Sequence, residues 1–157
     1  MPQSTTQDAC ELLDADHIAV KHLFVEYARQ AMAMPQEAGD RQMLAERICS
    51  ELTVHAQIEE EIFYPALRQA IGAPELLDEA EEEHQQAKEM IAQLQGMTAP
   101  DPAMDDLVSR LARAIEHHVK EERDELFTKA RAAQGLDLDA LGAKLKERQD
   151  ALMGQMA

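Results

Sequence analysis

The sequence predicts an all-α protein, an up-down-up-down antiparallel four-helix bundle with an additional short C-terminal helix. Three observations carry this expectation. Four long stretches place apolar residues three and four positions apart, the spacing of one helix face. Short connectors containing Gly and Pro separate them, which makes sequential helices antiparallel neighbours. No stretch alternates with period two for long enough to form a strand.

Residues 1–7 read as a disordered lead, 8–134 as the bundle, and 135–157 as a C-terminal helix packed on the bundle or used at an oligomer interface. Asp8, with Glu11 three residues on, makes a capping box for a first helix that runs to about Met34, before Pro35. After a turn around Gly39 and Asp40, a second helix spans about Arg41 to Ile71, and Pro65 inside it predicts a kink, because proline lacks the N–H and clashes one turn back. Gly72 closes that helix and Pro74 opens the third, which ends near Gly96. Asp101 is an N-cap and Pro102 the first residue of the fourth helix, which Gly135 ends. The fifth, about Leu138 to Met153, carries Leu138, Leu141, Leu145 and Leu152 on one side.

A chain of 157 residues suits one domain that buries roughly 70% of its unfolded surface without disulfides. Its 15 Lys and Arg against 31 Asp and Glu leave a net charge of -16, which repels phosphate backbones and anionic headgroups. Nucleic acid and membrane are therefore not expected partners. No apolar run approaches the roughly 20 residues of a membrane span, and MPQSTTQDAC lacks a leader pattern, so a cytoplasmic protein is expected. Cys10 and Cys49 read as reduced packing residues.

One irregularity recurs on every helix. The first seam is Leu13, His17, Val20, Phe24, Tyr27; the second Ile48, Leu52, His55, Glu59, Ile62, Ala66. The third is Leu77, Ala80, His84, Ala87, Ile91, Leu94, and the fourth Val108, Leu111, Ile115, His118, Glu122, Leu126. Each is apolar except at its His, and in the second and fourth helices at a Glu one turn on. A buried Glu without a partner costs several kcal/mol or takes up a proton. A lone His on an apolar face is ordinarily a hydrogen-bonded core residue. Four His and two Glu at one level of one bundle are another matter, because metal ligation satisfies all six together.

The other side chains read more simply. His22 and His117 are rotated off the seams, as surface or outer residues. The run Glu79 to Glu83 is a solvated face near a helix start. Met32, Met34, Met43, Met90, Met97 and Met104 are core filler and boundary residues.

Imidazole and carboxylate without thiolate suits iron, manganese or zinc. Two six-coordinate irons offer about twelve positions, of which four His, two bridging carboxylates and one oxo or hydroxo bridge fill about ten. About two stay open to small molecules unless a Tyr or a further Glu closes one, with Tyr27, Tyr64 and Glu51 as candidates.

The ordered motifs DADH at 14–17, HAQIEEEIFYP at 55–65, EEEH at 81–84 and HHVKEERDELF at 117–127 resemble the hemerythrin-like proteins, whose HHE cation-binding domain is a four-helix bundle around a non-haem di-iron centre. The resemblance spans about residues 10–132 and implies His17, His55, Glu59, His84, His118 and Glu122 as ligands of two iron ions bridged by an oxo or hydroxo group. The oxygen carriers of that family have a second His where this chain has Lys88, and end in a His followed five residues later by Asp, where it has Arg123. The chain therefore resembles the branch with four His and two Glu, and the lost His opens a coordination position, which favours peroxide, NO or redox chemistry over simple reversible oxygen carriage. Ferritin-like bundles fit poorly, since Glu81 precedes His84 by three residues but Ile115 precedes His118, and no His-Glu-x-x-His motif occurs.

The expected function is a di-iron protein that binds or reacts with O2, hydrogen peroxide or NO, in gas, iron or redox sensing, storage or detoxification. An apolar wall of Val20, Phe24, Ile58, Ile62, Ile115 and Leu126 would favour such ligands. The alternatives are a catalase- or peroxidase-like or NO-reducing enzyme, with Tyr27, Glu51 or Glu125 as acid-base groups, and a metal-free helical adaptor. A homodimer through the C-terminal Leu stripe is the further partner expectation.

Overall fold

The computed structural model describes residues 7–32, 38–97 and 101–156, and no strand occurs among them. Helix α1 is Ala9–Met32. Its capping box forms as the sequence requires, with the Glu11 amide donating to Asp8 Oδ1 at 2.8 Å and the Asp8 amide to Glu11 Oε1 at 3.0 Å. Rod α2 covers 38–70 as an α-helix Ala38–Ile58, a π-helical turn Glu59–Phe63 and an α-helix Tyr64–Ala70. Gly72, at φ 65°, supplies the left-handed residue that ends it.

Helix α3, Pro74–Gln95, follows with proline in its first turn. Rod α4 covers 102–132 as Pro102–Glu121, a π-helical turn Glu122–Phe127 and Thr128–Ala132. Asp101 caps it by accepting from the Met104 amide at 2.9 Å. Extended backbone at Ala133 ends the rod before Gly135 is reached. Helix α5 is Leu138–Met156, and Asp137 accepts from the Ala140 amide at 3.0 Å at its start. The expected lead falls on 1–6, outside the described residues except for Gln7, and Met34, Pro35 and part of the MTAPDP loop lie outside them as well.

Each of α1 to α4 packs on the next, and α4 closes the ring on α1; α5 lies against α1 and α2. The apolar core falls into two clusters with the histidine level between them. One contains Leu13, Ile58, Phe63, Leu67, Leu77, Phe127 and Leu145, the other Val20, Ile48, Leu52, Ala87, Ile91 and Leu111. Leu141, Leu145 and Leu152 of α5 are buried in the first cluster, so the Leu stripe is used within the chain. Helix α5 comes close to the start of α1 at Gly142, where an added Cβ would lie 2.9 Å from the Ala9 nitrogen, so no larger residue fits without prying α5 off α1.

The kink expected at Pro65 takes another form. The chain widens into a π-turn just upstream, so the rod continues while the bond that Pro65 cannot donate is absorbed. The fourth helix makes the same turn with no proline near it. A π-turn inserts one residue into the helical repeat, which rotates everything after it by about one position. The seam consequently shifts: Phe63, Tyr64 and Leu67 are buried where Ile62 and Ala66 were expected. In α4 the residues after Glu122 that point inward are Leu126, Phe127 and Ala130.

Cys10 and Cys49 are free and buried, and burial pushes their thiols up to about 12 and about 11, which leaves them uncharged and inert. Met104 is buried and Met90 and Met97 pack on the core, but Met32 and Met43 are 87% and 64% exposed, so these two are not filler.

Candidate metal centre

His17, His55, Glu59, His84, His118 and Glu122 are all buried, and their polar ends meet at one level of the bundle. The histidines form two pairs. His17 and His55, from α1 and α2, bring their Nε2 atoms to 3.1 Å; His84 and His118, from α3 and α4, bring theirs to 3.2 Å.

Both carboxylates reach both pairs. Glu59 Oε1 lies 3.3 Å from His55 Nε2 and 3.0 Å from His84 Nε2. Glu122 lies 3.1 Å from His17 Nε2 and 3.5 Å from His118 Nε2. Donors around an ion with bonds of about 2.1 Å sit roughly 3.0 Å apart at adjacent octahedral corners and roughly 3.4 Å apart at tetrahedral ones. The observed separations, from 3.0 to 3.5 Å, lie close to those values.

A surrounding layer of acids sets the imidazoles. His55 Nδ1 meets Asp16 at 3.1 Å, His84 Nδ1 meets Glu60 at 2.8 Å and His118 Nδ1 meets Glu83 at 2.7 Å. In each case the acid comes from the neighbouring helix. An Nδ1–H donated outward leaves Nε2 to present a lone pair inward, the usual arrangement of metal-ligating histidine. His17 Nδ1 comes only within 3.5 Å of Asp14 and makes no hydrogen bond. Helix α5 joins this layer, since the Gln149 amide donates to the same Asp16 oxygen that faces His55, at 2.8 Å.

The seventh group is Tyr64. Its side chain is fully buried, and its O–H donates to Glu122 at 2.7 Å while lying 3.2 Å from Glu59, 3.3 Å from His84 and 3.4 Å from His118. The π-turn carries it there. Tyr27 and Glu51 stay away: the Tyr27 hydroxyl donates to Asp105 at 2.7 Å at the other end of the bundle, and Glu51 pairs with Arg47. Glu125 is exposed.

Without metal, the buried His55, His118, Glu59 and Tyr64 shift one another's titration. Burial opposes charge on His55, but the Glu59 charge and hydrogen bonds to Asp16 and Glu59 outweigh it and raise its pKa to about 10. His118 rises to about 12 against the same burial, through hydrogen bonds to Glu122, Glu59 and Glu83. Glu59, also opposed by burial, is held well below the usual carboxylate value by His55, His118 and His84. Burial, then the charges of Glu122 and Glu59, push Tyr64 well above its ordinary value, so its phenol stays protonated.

Protons do not complete the site. One oxygen of each buried carboxylate, Glu59 Oε2 and Glu122 Oε1, has no hydrogen-bond partner. An orphaned carboxylate oxygen away from water is costly, and a cation among the Nε2 atoms answers it. The donor set therefore fits metal ions.

Beside the centre lies a cavity of about 120 Å³ whose lining includes all four histidines. Its other walls include Val20, Leu52, Ala87, Ile91 and Ile115, so two of the expected wall residues, Val20 and Ile115, face it. Ile58 and Leu126 belong to the core cluster on the opposite side, Ile62 packs against that cluster, and Phe24 lines a separate surface groove. Lys88 stands at the cavity and pairs with Glu60 at 2.8 Å. Of the acidic run, Glu79, Glu81 and Glu82 are solvated as expected, while Glu83 turns inward to His118. His22 is exposed, and His117 is exposed beside Glu83.

The sequence signals for Asp16, Glu60 and Glu83 were their positions next to ligands, but one helical step of about 100° makes such an acid look solvent-facing. Tyr64 had only its place in the motif. No helix among the described residues is long and apolar enough to cross a membrane.

Residues 8–130 match the model of the hemerythrin HHE cation-binding domain. A crystal structure of an HHE cation-binding domain-containing protein from Mycobacterium kansasii superposes with a TM-score of 0.76 at 25% identity, covering 95% of this chain and 89% of that one. An uncharacterized Mycobacterium tuberculosis protein is 26% identical over 149 residues, 94% of this chain and 88% of the relative. A Nostoc protein named DNA nickase is 30% identical over 124 residues, 77% of this chain, and the chain spans only 33% of that relative's length. With the family model covering most of the bundle and a fold neighbour of the same kind, the chain belongs to the hemerythrin HHE cation-binding domain family.

Proposed function

We propose that the protein is a non-haem di-iron protein that binds or reacts with O2, hydrogen peroxide or NO, with His17, His55, Glu59, His84, His118 and Glu122 as ligands. The arrangement of two histidine pairs spanned by both carboxylates supports two ions rather than one. Two iron ions bridged by an oxo or hydroxo group would supply the redox chemistry for such ligands.

The observation that carries the choice of ligand is the cavity. At about 120 Å³ it is well below the roughly 300–1,000 Å³ of sites for drug-sized molecules, and its walls are largely apolar. It admits small, weakly polar species and keeps bulk water from the imidazoles. The remaining residues do identifiable work. Asp16, Glu60 and Glu83 orient the rings, and Lys88 holds Glu60 against His84. Tyr64 blocks the face opposite the cavity.

The Tyr64 O–H is donated to Glu122 at 2.7 Å on that face, so its role is to hold the carboxylate in place. The nicking activity named for the Nostoc relative gains no support from a net charge of -16.

Metal content by mass spectrometry on protein purified without added metal, with optical spectra before and after air, tests the reading. About two irons per chain and a near-ultraviolet charge-transfer band are expected from the coordination count. Zinc alone, a single ion or no metal would sink it. Steady peroxide consumption abolished in His55→Ala would then assign an enzyme, and stoichiometric oxidation without turnover a sensor or store.

A further inference from the structure

A second set of metal-type ligands stands at the surface, one residue out of step with the buried set. His118 and Glu122 are four apart in α4, and so are His117 and Glu121, in the run HHVKEE. One step of about 100° turns the second pair outward. Glu83, the residue before His84 in α3, completes it. His117 Nε2 lies 3.3 Å from Glu83 Oε2 and 3.4 Å from Glu121 Oε2, and the three donor atoms fall within 4.8 Å of one another.

These separations match the roughly 3.4 Å edge of a tetrahedral site with 2.1 Å bonds. One imidazole and two carboxylates, with water in the remaining position, suit a divalent first-row ion. Among the described residues the ion pairs of Glu83 and Glu121 are with histidines and with no Lys or Arg.

Two further observations connect this triad with the centre. Glu83 is shared: Oε2 faces His117, while Oε1 accepts from His118 Nδ1 at 2.7 Å. A crevice of about 10 Å³, room for one water-sized species, is lined by Glu79, Glu83 and Glu121, by His118 and Glu122 of the centre, and by Leu76, Ala80 and Leu126. It brings two carboxylates of the triad to one opening with Glu122 of the centre, whose buried Oε1 has no hydrogen-bond partner.

We propose that Glu83, His117 and Glu121 form a surface divalent-cation site from which the buried centre is loaded. The proposal rests on the buried cluster being a metal centre. The protein thereby separates two traffics: small apolar ligands enter by the cavity, and hydrated cations shed water at the triad before passing along the crevice. The net charge of -16 draws cations to the surface in the first place.

Two measurements test it, with His117→Asn and Glu121→Gln as variants that leave the Glu83 contact to His118 in place. Iron-loaded protein titrated with Mn(II), followed by the resonance of the free ion, should bind one further equivalent in the wild type. Losing a ligand should weaken this by at least the roughly tenfold that losing an outer partner of a metal site costs. Chelator-stripped protein given Fe(II) without oxygen should load to the same final content in the variants, about tenfold more slowly by withdrawal from a colorimetric chelator. Variants that bind Mn(II) as the wild type does, or that load at the wild-type rate, overturn the proposal. Stripped wild type that takes up no iron overturns the metal-centre reading instead, and the Mn(II) titration still decides whether the outer triad binds.

Discussion

Removing the metal should reverse the protein's response to pH. In the metal-free state the raised histidines contribute stability that is complete below their unfolded value of 6.5 and is lost as pH rises through about 10 for His55 and about 12 for His118. Glu59 is depressed, so its contribution is present above its unfolded value of 4.5 and fades as pH falls through its lower folded value. The stripped protein is therefore most stable between pH 4.5 and 6.5 and weakens toward alkali. The loaded protein behaves oppositely, because ligation needs neutral imidazole and acid displaces the metal. Near neutral pH, free metal a thousandfold above its dissociation constant adds about 4.1 kcal/mol, or roughly 8–16 °C in a domain of this size. Melting curves from pH 5 to 9, with and without chelator, should diverge as pH rises. Parallel curves would mean that the four histidines and two carboxylates do not exchange protons for metal.

The second large effect separates the carboxylates from the histidines. Glu59 and Glu122 each touch both histidine pairs, whereas His17 belongs to one. Glu59→Ala should therefore empty both positions, and His17→Ala should leave about one ion on His84 and His118. Truncating Glu59 also leaves His55 and His84 without their buried counter-charge, at a cost of about 3–5 kcal/mol even in metal-free protein. Glu59→Gln, which keeps the volume, should lose metal with a smaller drop in melting temperature. Metal analysis on the three variants, each with a chemical-denaturation curve, checks this. Equal metal loss in Glu59→Ala and His17→Ala would refute the bridging arrangement.

Helix number, order and most boundaries were legible in the sequence, because caps and breakers act locally. Asp8 with Glu11, Gly72, and Asp101 with Pro102 each do in the structure what they do in a peptide. The six polar seam residues were legible for a related reason: a His or Glu at an apolar period is conspicuous, and its desolvation cost demands a partner.

What only the tertiary structure decided lies one residue to either side of that seam. The π-turns at Glu59–Phe63 and Glu122–Phe127 are backbone adjustments that bring both a carboxylate and a following aromatic residue inward, and no local propensity announces them. They replaced Ile62 and Ala66 by Phe63, Tyr64 and Leu67 in the core and so delivered Tyr64 to the centre. Asp16, Glu60 and Glu83 each serve a histidine on the neighbouring helix, and Gln149 reaches Asp16 from a helix more than a hundred residues away in sequence. Sequence alone determined which residues must be buried together, since period and polarity are properties of one helix. Which acid steadies which imidazole, which face is sealed by Tyr64 and which opens to the cavity depend on contacts between helices, and those exist only once the bundle has closed.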